Sequence, residues 1–260
     1  MGWAVPLGPP AQAPRKPWCI WHALTRGACL ALALVAGAAA VEAAPCITGA
    51  RYVDPVTRYG HNVLGGGGEF GGLLLQTEDM DGTLRRVRVT LPDDRVFEDI
   101  APLVSDLGPD GCAEVIVVES QMTRGAQLAI YDGTGTKVAA TPHIGQRNRW
   151  LSVIGAVDLD GDGAVEIAYI DRPHLAKTLR IWRYTEGRLT EVATQGGLTN
   201  HRIGWDFIAG GLRDCGQGQE MVLASGDWRD LVAVDFDGMV QVARIGPYSE
   251  AALKTAMDCR

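Results

Sequence analysis

An all-β fold assembled from repeated antiparallel sheets is what this sequence predicts, on three observations. One loop crowds acidic side chains between two strand-like segments, a strand–turn–Glu–strand pattern recurs at about fifty-residue spacing, and helical character is confined to a short C-terminal stretch. With 260 residues, 47% of them apolar, the chain can bury a sizeable core.

The acidic loop reads Asp158-Leu159-Asp160-Gly161-Asp162-Gly163-Ala164-Val165-Glu166. Three Asp at alternate positions, with glycines that let the backbone curl, bring carboxylates together where a cation is needed to hold them. Oxygen ligands in that number suit Ca2+, which takes six to eight of them in irregular geometry, better than Mg2+. The expected ligands are the carboxylates of Asp158, Asp160 and Asp162, the backbone carbonyl of Ala164, and Glu166. An EF-hand begins the same way but needs a Glu at position twelve between two helices; that position is Tyr169, and the flanks 150–157 and 165–170 are rich in β-branched and aromatic residues. The loop therefore belongs inside a β-hairpin.

Taking Glu166 as an anchor, three more copies of the pattern appear. The first spans 58–75 around Glu69, with its loop reduced to glycines; the second spans 100–118 around Glu114 and retains Asp106 and Asp110; the fourth spans 205–223 around Glu220 and retains Asp214. The anchors lie 45, 52 and 54 residues apart. After each anchor strand come further alternating segments, such as 127–131, 179–184, 189–193, 231–235 and 240–243, separated by tight turns such as Glu186-Gly187 and Asp237-Gly238. About four strands in fifty residues is the size of one β-propeller blade, and such units must stack to bury both faces. The prediction is thus a propeller of about four four-stranded blades, followed by a capped helix over 249–257.

The segment 158–170 resembles the calcium loop of FG-GAP repeats, also called VCBS repeats, known from the propeller of integrin α chains and from exported bacterial proteins. With the decayed copies the resemblance covers about 58–244. It implies a propeller with Ca2+ loops joining the first and second strands of a blade. Because copy one has lost all three Asp, copy two has Gly108 at the second position and copy four keeps only Asp214 and Glu220, one good metal site is expected.

Residues 28–41 form an uncharged apolar run of fourteen, preceded by Arg15, Lys16 and Arg26 and followed by small residues. That is the pattern of a signal peptide and too short to span a bilayer. Cleavage is expected after Ala43, with Ala40 as the other small-residue site, and no lipobox precedes Cys46. The organisation expected is a signal peptide over 1–43, an N-terminal segment over 44–57, the repeats over 58–246 and a helical tail over 247–260, in a periplasmic or extracellular protein with no membrane span once mature. Loss of the leader moves the formal charge from −7 to −9, leaving 21 basic against 30 acidic side chains. Such a chain repels phosphate backbones and makes a poor nucleic-acid partner. Four cysteines remain, an even number that suits disulfides in an exported protein. Of three connectivities, the one expected joins Cys215 to Cys259, pinning the tail to the last repeat, and Cys46 to Cys112.

Catalytic motifs are absent: there is no G-x-S-x-G, no H-E-x-x-H, and the glycines of 65–72 lack the Lys-Ser/Thr of a phosphate loop. Arg and aromatic residues recur ahead of the anchor strands, namely Arg58, Tyr59 and His61, then Arg149 and Trp150, then His201, Arg202 and Trp205. If the first strands line a channel, these groups converge on one mouth, where stacking and bidentate hydrogen bonds suit sugars or carboxylated ligands; the alternative is blade-to-blade packing. The function expected is therefore a calcium-binding module for a protein or carbohydrate. A hydrolase or lyase with its site at the channel mouth is the alternative, since fold alone does not exclude one.

Overall fold

Alternation with a period of two runs through the central strands, and the structure buries both sides of it. In a computed structural model describing residues 44–260, seventeen strands and one helix form three antiparallel sheets. The expected signal peptide, 1–43, lies outside the described residues. Among the described residues no helix is long and apolar enough to cross a membrane.

The first sheet has eight strands: β1 (Cys46–Pro55), β2 (Glu69–Glu78), β3 (Leu84–Thr90), β4 (Arg95–Glu98), β5 (Leu103–Asp106), β6 (Ala113–Gln121), β7 (Gly125–Tyr131) and β8 (Lys137–Ala140). The second comprises β9 (Leu151–Val157), β10 (Val165–Asp171), β11 (Thr178–Thr185) and β12 (Arg188–Gly196), in which neighbours along the chain pair as neighbours in space. The third holds β13 (Leu198–Thr199), β14 (Gly211–Asp214), β15 (Gln219–Ser225), β16 (Asp230–Phe236) and β17 (Val240–Pro247). The helix α1 (Glu250–Met257) follows, with the Ser249 hydroxyl accepting from the Ala252 N–H at 3.0 Å as its N-cap.

Four repeats thus give three sheets rather than four, because β4 pairs with β2 on one side and β6 on the other, joining the first two copies. The packing still alternates as stacked units require. Val115 and Val117 of β6 face a cluster with β1, β2 and β4, while Ile116 and Val118 face the second sheet. On β10, Ile167 and Tyr169 face back towards β6 and β7, and Ala168 and Ile170 face the third sheet. On β15, Met221 and Leu223 face β10 and β11, and Val222 faces α1. The helix therefore covers the outer side of the last sheet, where a further repeat would otherwise be needed.

Copy one departs from the prediction. Residues 58–68 form no strand pair with β2; that place is taken by β1, which the sequence pattern had left within an N-terminal segment. Gly65, Gly66 and Gly68 adopt positive φ, and at Gly65 a Cβ would lie 2.9 Å from the Gly204 carbonyl, so the glycines permit a close crossing rather than a ladder. Both expected disulfides form, Cys46–Cys112 and Cys215–Cys259. Closing loops of 66 and 44 residues, each is worth about 4 kcal/mol on the chain-entropy account.

A second regularity was not legible beforehand. β4 and β5 pair with successive halves of β6, as β13 and β14 do with β15. In the second sheet β9 runs the whole length of β10, but Val153 pairs with Tyr169 and Gly155 with Ala168, so Ile154 bulges. The same point of the repeat thus carries an insertion of three sizes: residues 99–102, the single Ile154, and residues 200–210.

Candidate functional site

The anchor Glu does the same job in three copies. Its carboxylate accepts the backbone N–H seven residues upstream: Leu159 to Glu166 at 2.9 Å, Leu107 to Glu114 at 3.1 Å, and Asn62 to Glu69 at 3.3 Å. Glu69 also takes Gly60 at 2.9 Å and His61 at 2.6 Å, so one carboxylate satisfies three N–H groups that a ladder would otherwise have paired. In copy four the partner is the side chain seven residues upstream, Arg213, at 2.8 Å.

In the intact loop, Asp158 accepts from Gly161 at 2.7 Å and Gly163 at 2.9 Å, and Asp162 accepts from Ala164 at 2.8 Å. Gly161 and Gly163 take φ of 77° and 89°, which lets the loop turn back on itself. Asp158, Asp160 and Glu166 each offer an oxygen within 4.8 Å of the others, the spacing that ligands of one ion with bonds of about 2.4 Å can have. That donor set fits Ca2+. Asp162 stands outside this trio. It pairs with Arg183, whose guanidinium also meets Asp160 at 2.5 Å and Glu166 at 2.6 Å. Sequence reasoning missed Arg183, although it sits directly opposite Glu166 in the β10–β11 register. Burial pushes the Glu166 carboxyl up from its ordinary range, against the Leu159 N–H and Arg183.

Of the residues named from sequence ahead of the anchor strands, Tyr59, His61, Trp150 and His201 form one contact cluster, three of them buried. Tyr59 is fully buried; its hydroxyl accepts from the Asn148 N–H at 2.8 Å and its carbonyl from Arg147 at 2.6 Å. Arg58 donates to the Arg95 carbonyl at 2.8 Å. His61 Nδ1 meets Glu98 at 2.6 Å, and the buried Trp150 donates from Nε1 to the Glu98 carbonyl at 2.8 Å. Trp150 stacks on His174 and lies edge-on to His201, ring centroids 6.3 and 5.0 Å away. His174 Nε2 is 2.9 Å from His201 Nδ1, and His201 Nε2 is 3.0 Å from the Trp205 carbonyl. A carbonyl only accepts, so His201 carries its proton on Nε2 and takes one from His174 at Nδ1. That arrangement leaves the His201 ring neutral. Burial moves both rings down, His174 to about 4, with the neighbouring His201 and His61 adding to the shift.

Arg149 is half-buried and its carbonyl accepts from Ala126; Arg202 is exposed, its guanidinium 4.5 Å from the Trp228 ring centre and 5.4 Å from that of Trp205. Gly204 donates to the Val63 carbonyl at 3.0 Å, so the inserted segment of copy four touches copy one. Glu98 and His174, both central here, were not singled out from sequence. The side chains of Asn200 and Ser152, fully buried, have no hydrogen-bond partner in the structure.

Fold and loop together define an all-β repeat protein with a carboxylate-lined loop between the first two strands of one repeat. Residues 106–169 match the family model of the FG-GAP-like repeat, so the chain carries an FG-GAP-like repeat across its second and third copies. Among solved structures, the chain resembles the exotype rhamnogalacturonan lyase YesX at 15% identity and a TM-score of 0.43, over 80% of this chain and 49% of that one. It resembles rhamnogalacturonan lyase YesW at 19% identity and a TM-score of 0.44, over 66% and 36%. A Bacillus licheniformis rhamnogalacturonan lyase, PL11, follows at 15% identity and 0.40, over 70% and 45%. The chain therefore spans less than half the length of each. No curated protein sequence matched it.

Proposed function

We propose that this chain is an exported, calcium-stabilised binding module whose four repeats stack as propeller blades about a shared axis. Its ligand, a protein or a carbohydrate, is taken at the end where the inserted segments meet. The observation that carries this reading is the convergence of His61, Glu98, Trp150 and His201, one from each repeat in turn, on a single cluster rimmed by the exposed Arg202, Ile203 and Phe207. Buried Tyr59, Trp150 and His201 hold the repeats in place, which leaves Arg149 and Arg202 as the groups to meet a ligand. Ca2+ at Asp158, Asp160 and Glu166 acts as a staple on the β9–β10 hairpin, reversing the mutual repulsion of the carboxylates. The two disulfides and the acidic surface accord with export.

Thermal melting of the mature chain in EDTA and in millimolar Ca2+ tests the staple. Ligand at ten to a hundred times its dissociation constant adds about 1.4 to 2.7 kcal/mol, a rise in Tm of roughly 3–10 °C for a domain of this size. The rise is specific to Ca2+ and absent in Asp160→Ala. Binding to glycan and protein panels tests the module, with Arg149→Ala and Arg202→Ala weakening whatever is captured; unchanged binding in both folded variants removes this end from consideration.

A further inference from the structure

The three insertion points of the repeats share one cavity of about 400 Å³, a volume typical of small-molecule sites. Copy two contributes Asp99, Ile100 and Pro102, copy three the bulged Ile154, and copy four Asp206 and Phe207. No Lys, Arg or His lines it. The walls are otherwise apolar, so the cavity joins greasy surface to two carboxyl groups and offers no cation of its own.

Asp99 is the telling member. Every other buried acid of the described residues is matched: Glu69 by three N–H groups, Glu98 by His61 and Ser120, Glu119 by Lys137 and Tyr131, Glu166 by Arg183, and Asp171 by Arg172 and Arg180. Asp99, 7% exposed, accepts one bond, from the N–H of the next residue, Ile100, at 2.7 Å. Neither it nor Asp206 has an ion-pair partner among the described residues. Burial pushes the Asp99 carboxyl up to about 7, with the Glu98 charge adding to the shift. A buried acid left in that condition is costly, and a cationic ligand would supply its missing counter-charge.

We infer that this cavity binds a compact organic cation, an ammonium group on an aliphatic or aromatic body, with Asp99 and Asp206 receiving the ammonium and Ile100, Ile154 and Phe207 enclosing the body. The site shares no residue with the acidic loop, so it stands or falls apart from the calcium reading.

The test is calorimetric titration of the mature protein at pH 8, where Asp99 is ionised, with 2-phenylethylamine and its neutral isostere 2-phenylethanol. The amine binds saturably at one site and at least tenfold more tightly than the alcohol. Asp99→Asn lowers amine affinity at least tenfold and leaves the alcohol unchanged. Because Asp99 is buried, Asp206→Asn and Phe207→Ala at the rim provide variants that keep the fold, each weakening the amine at least threefold. Equal binding of amine and alcohol, no saturable amine binding, or wild-type affinity in these variants would overturn the assignment. Repeating the titration in EDTA separates the two readings: amine binding persists there whether or not Ca2+ stabilises the fold.

Discussion

The β9–β10 hairpin meets two kinds of polar crowding at its two ends, and it handles them in opposite ways. At the loop end, Asp158, Asp160 and Asp162 gather charge near water around the buried Glu166, and Arg183 offsets part of it through three ion pairs. At the other end, Trp150 and His201 are buried and His174 half-buried; a directed chain of hydrogen bonds ends on the Trp205 carbonyl, and burial disfavours the charged form of both imidazoles. At the loop, charge is kept and matched by a guanidinium; at the histidine end, with no acid among the described residues paired to either ring of the His174–His201 pair, burial disfavours charge. The loop end thus gathers carboxylate oxygens, whereas the histidine end resists an added proton.

Substitutions at the two ends would sharpen this contrast, the histidine end most strongly. Trp150→Ala removes a buried indole and its bond to the Glu98 carbonyl, and costs about 3–5 kcal/mol in urea unfolding, with no dependence on Ca2+. Arg183→Ala leaves the buried Glu166 with the Leu159 N–H as its remaining protein partner, and in EDTA costs about 2–3 kcal/mol. In millimolar Ca2+ most of that loss returns, so the Ca2+-induced rise in Tm is larger in the variant than in the parent; a rise equal to the parent's would separate the guanidinium from the ion site.

For the histidine end the sign follows from the depressed imidazole. His174 falls from an ordinary value of 6.5 to about 4, so it stabilises the folded chain above pH 6.5 and loses that contribution as pH falls towards 4. Allowing for its partial exposure, the loss is about 1–2 kcal/mol. It is read as the difference between parent and His174→Gln across pH 7 to 4, which cancels the opposite slope of Asp99, raised from 3.8 to about 7. Parallel pH curves for the two proteins would show that the ring titrates freely. The smallest effect belongs to Asp162→Ala: its ion pair with Arg183 is nearly half exposed, and urea unfolding should show a loss below about 1 kcal/mol.

How much was legible varies along the chain for identifiable reasons. The loop 158–166 and its flanking strands were readable because alternate Asp, paired Gly and β-branched flanks act within a dozen residues. The N-cap at Ser249 and the turn at Glu186-Gly187, both residues at positive φ, were readable on the same ground. The copy-one strand was misplaced because its glycines resemble a worn turn, while the segment that pairs with β2, β1, precedes it by a loop of thirteen residues. The fusion of two repeats into one sheet depends on four residues, β4, finding a partner on each side, which no periodicity announces.

From sequence alone came the all-β class, the repeat length and the acidic hairpin loop, each set by neighbouring residues or by a pattern repeated often enough to count. Tertiary structure alone placed Arg183 across from Glu166, brought His61, Glu98, His174 and His201 into one cluster around Trp150, and made a cavity of three unlike insertions. Those outcomes require segments tens of residues apart to meet, and which side chains then face one another is decided by stacking and register, quantities that exist only once the sheets have packed.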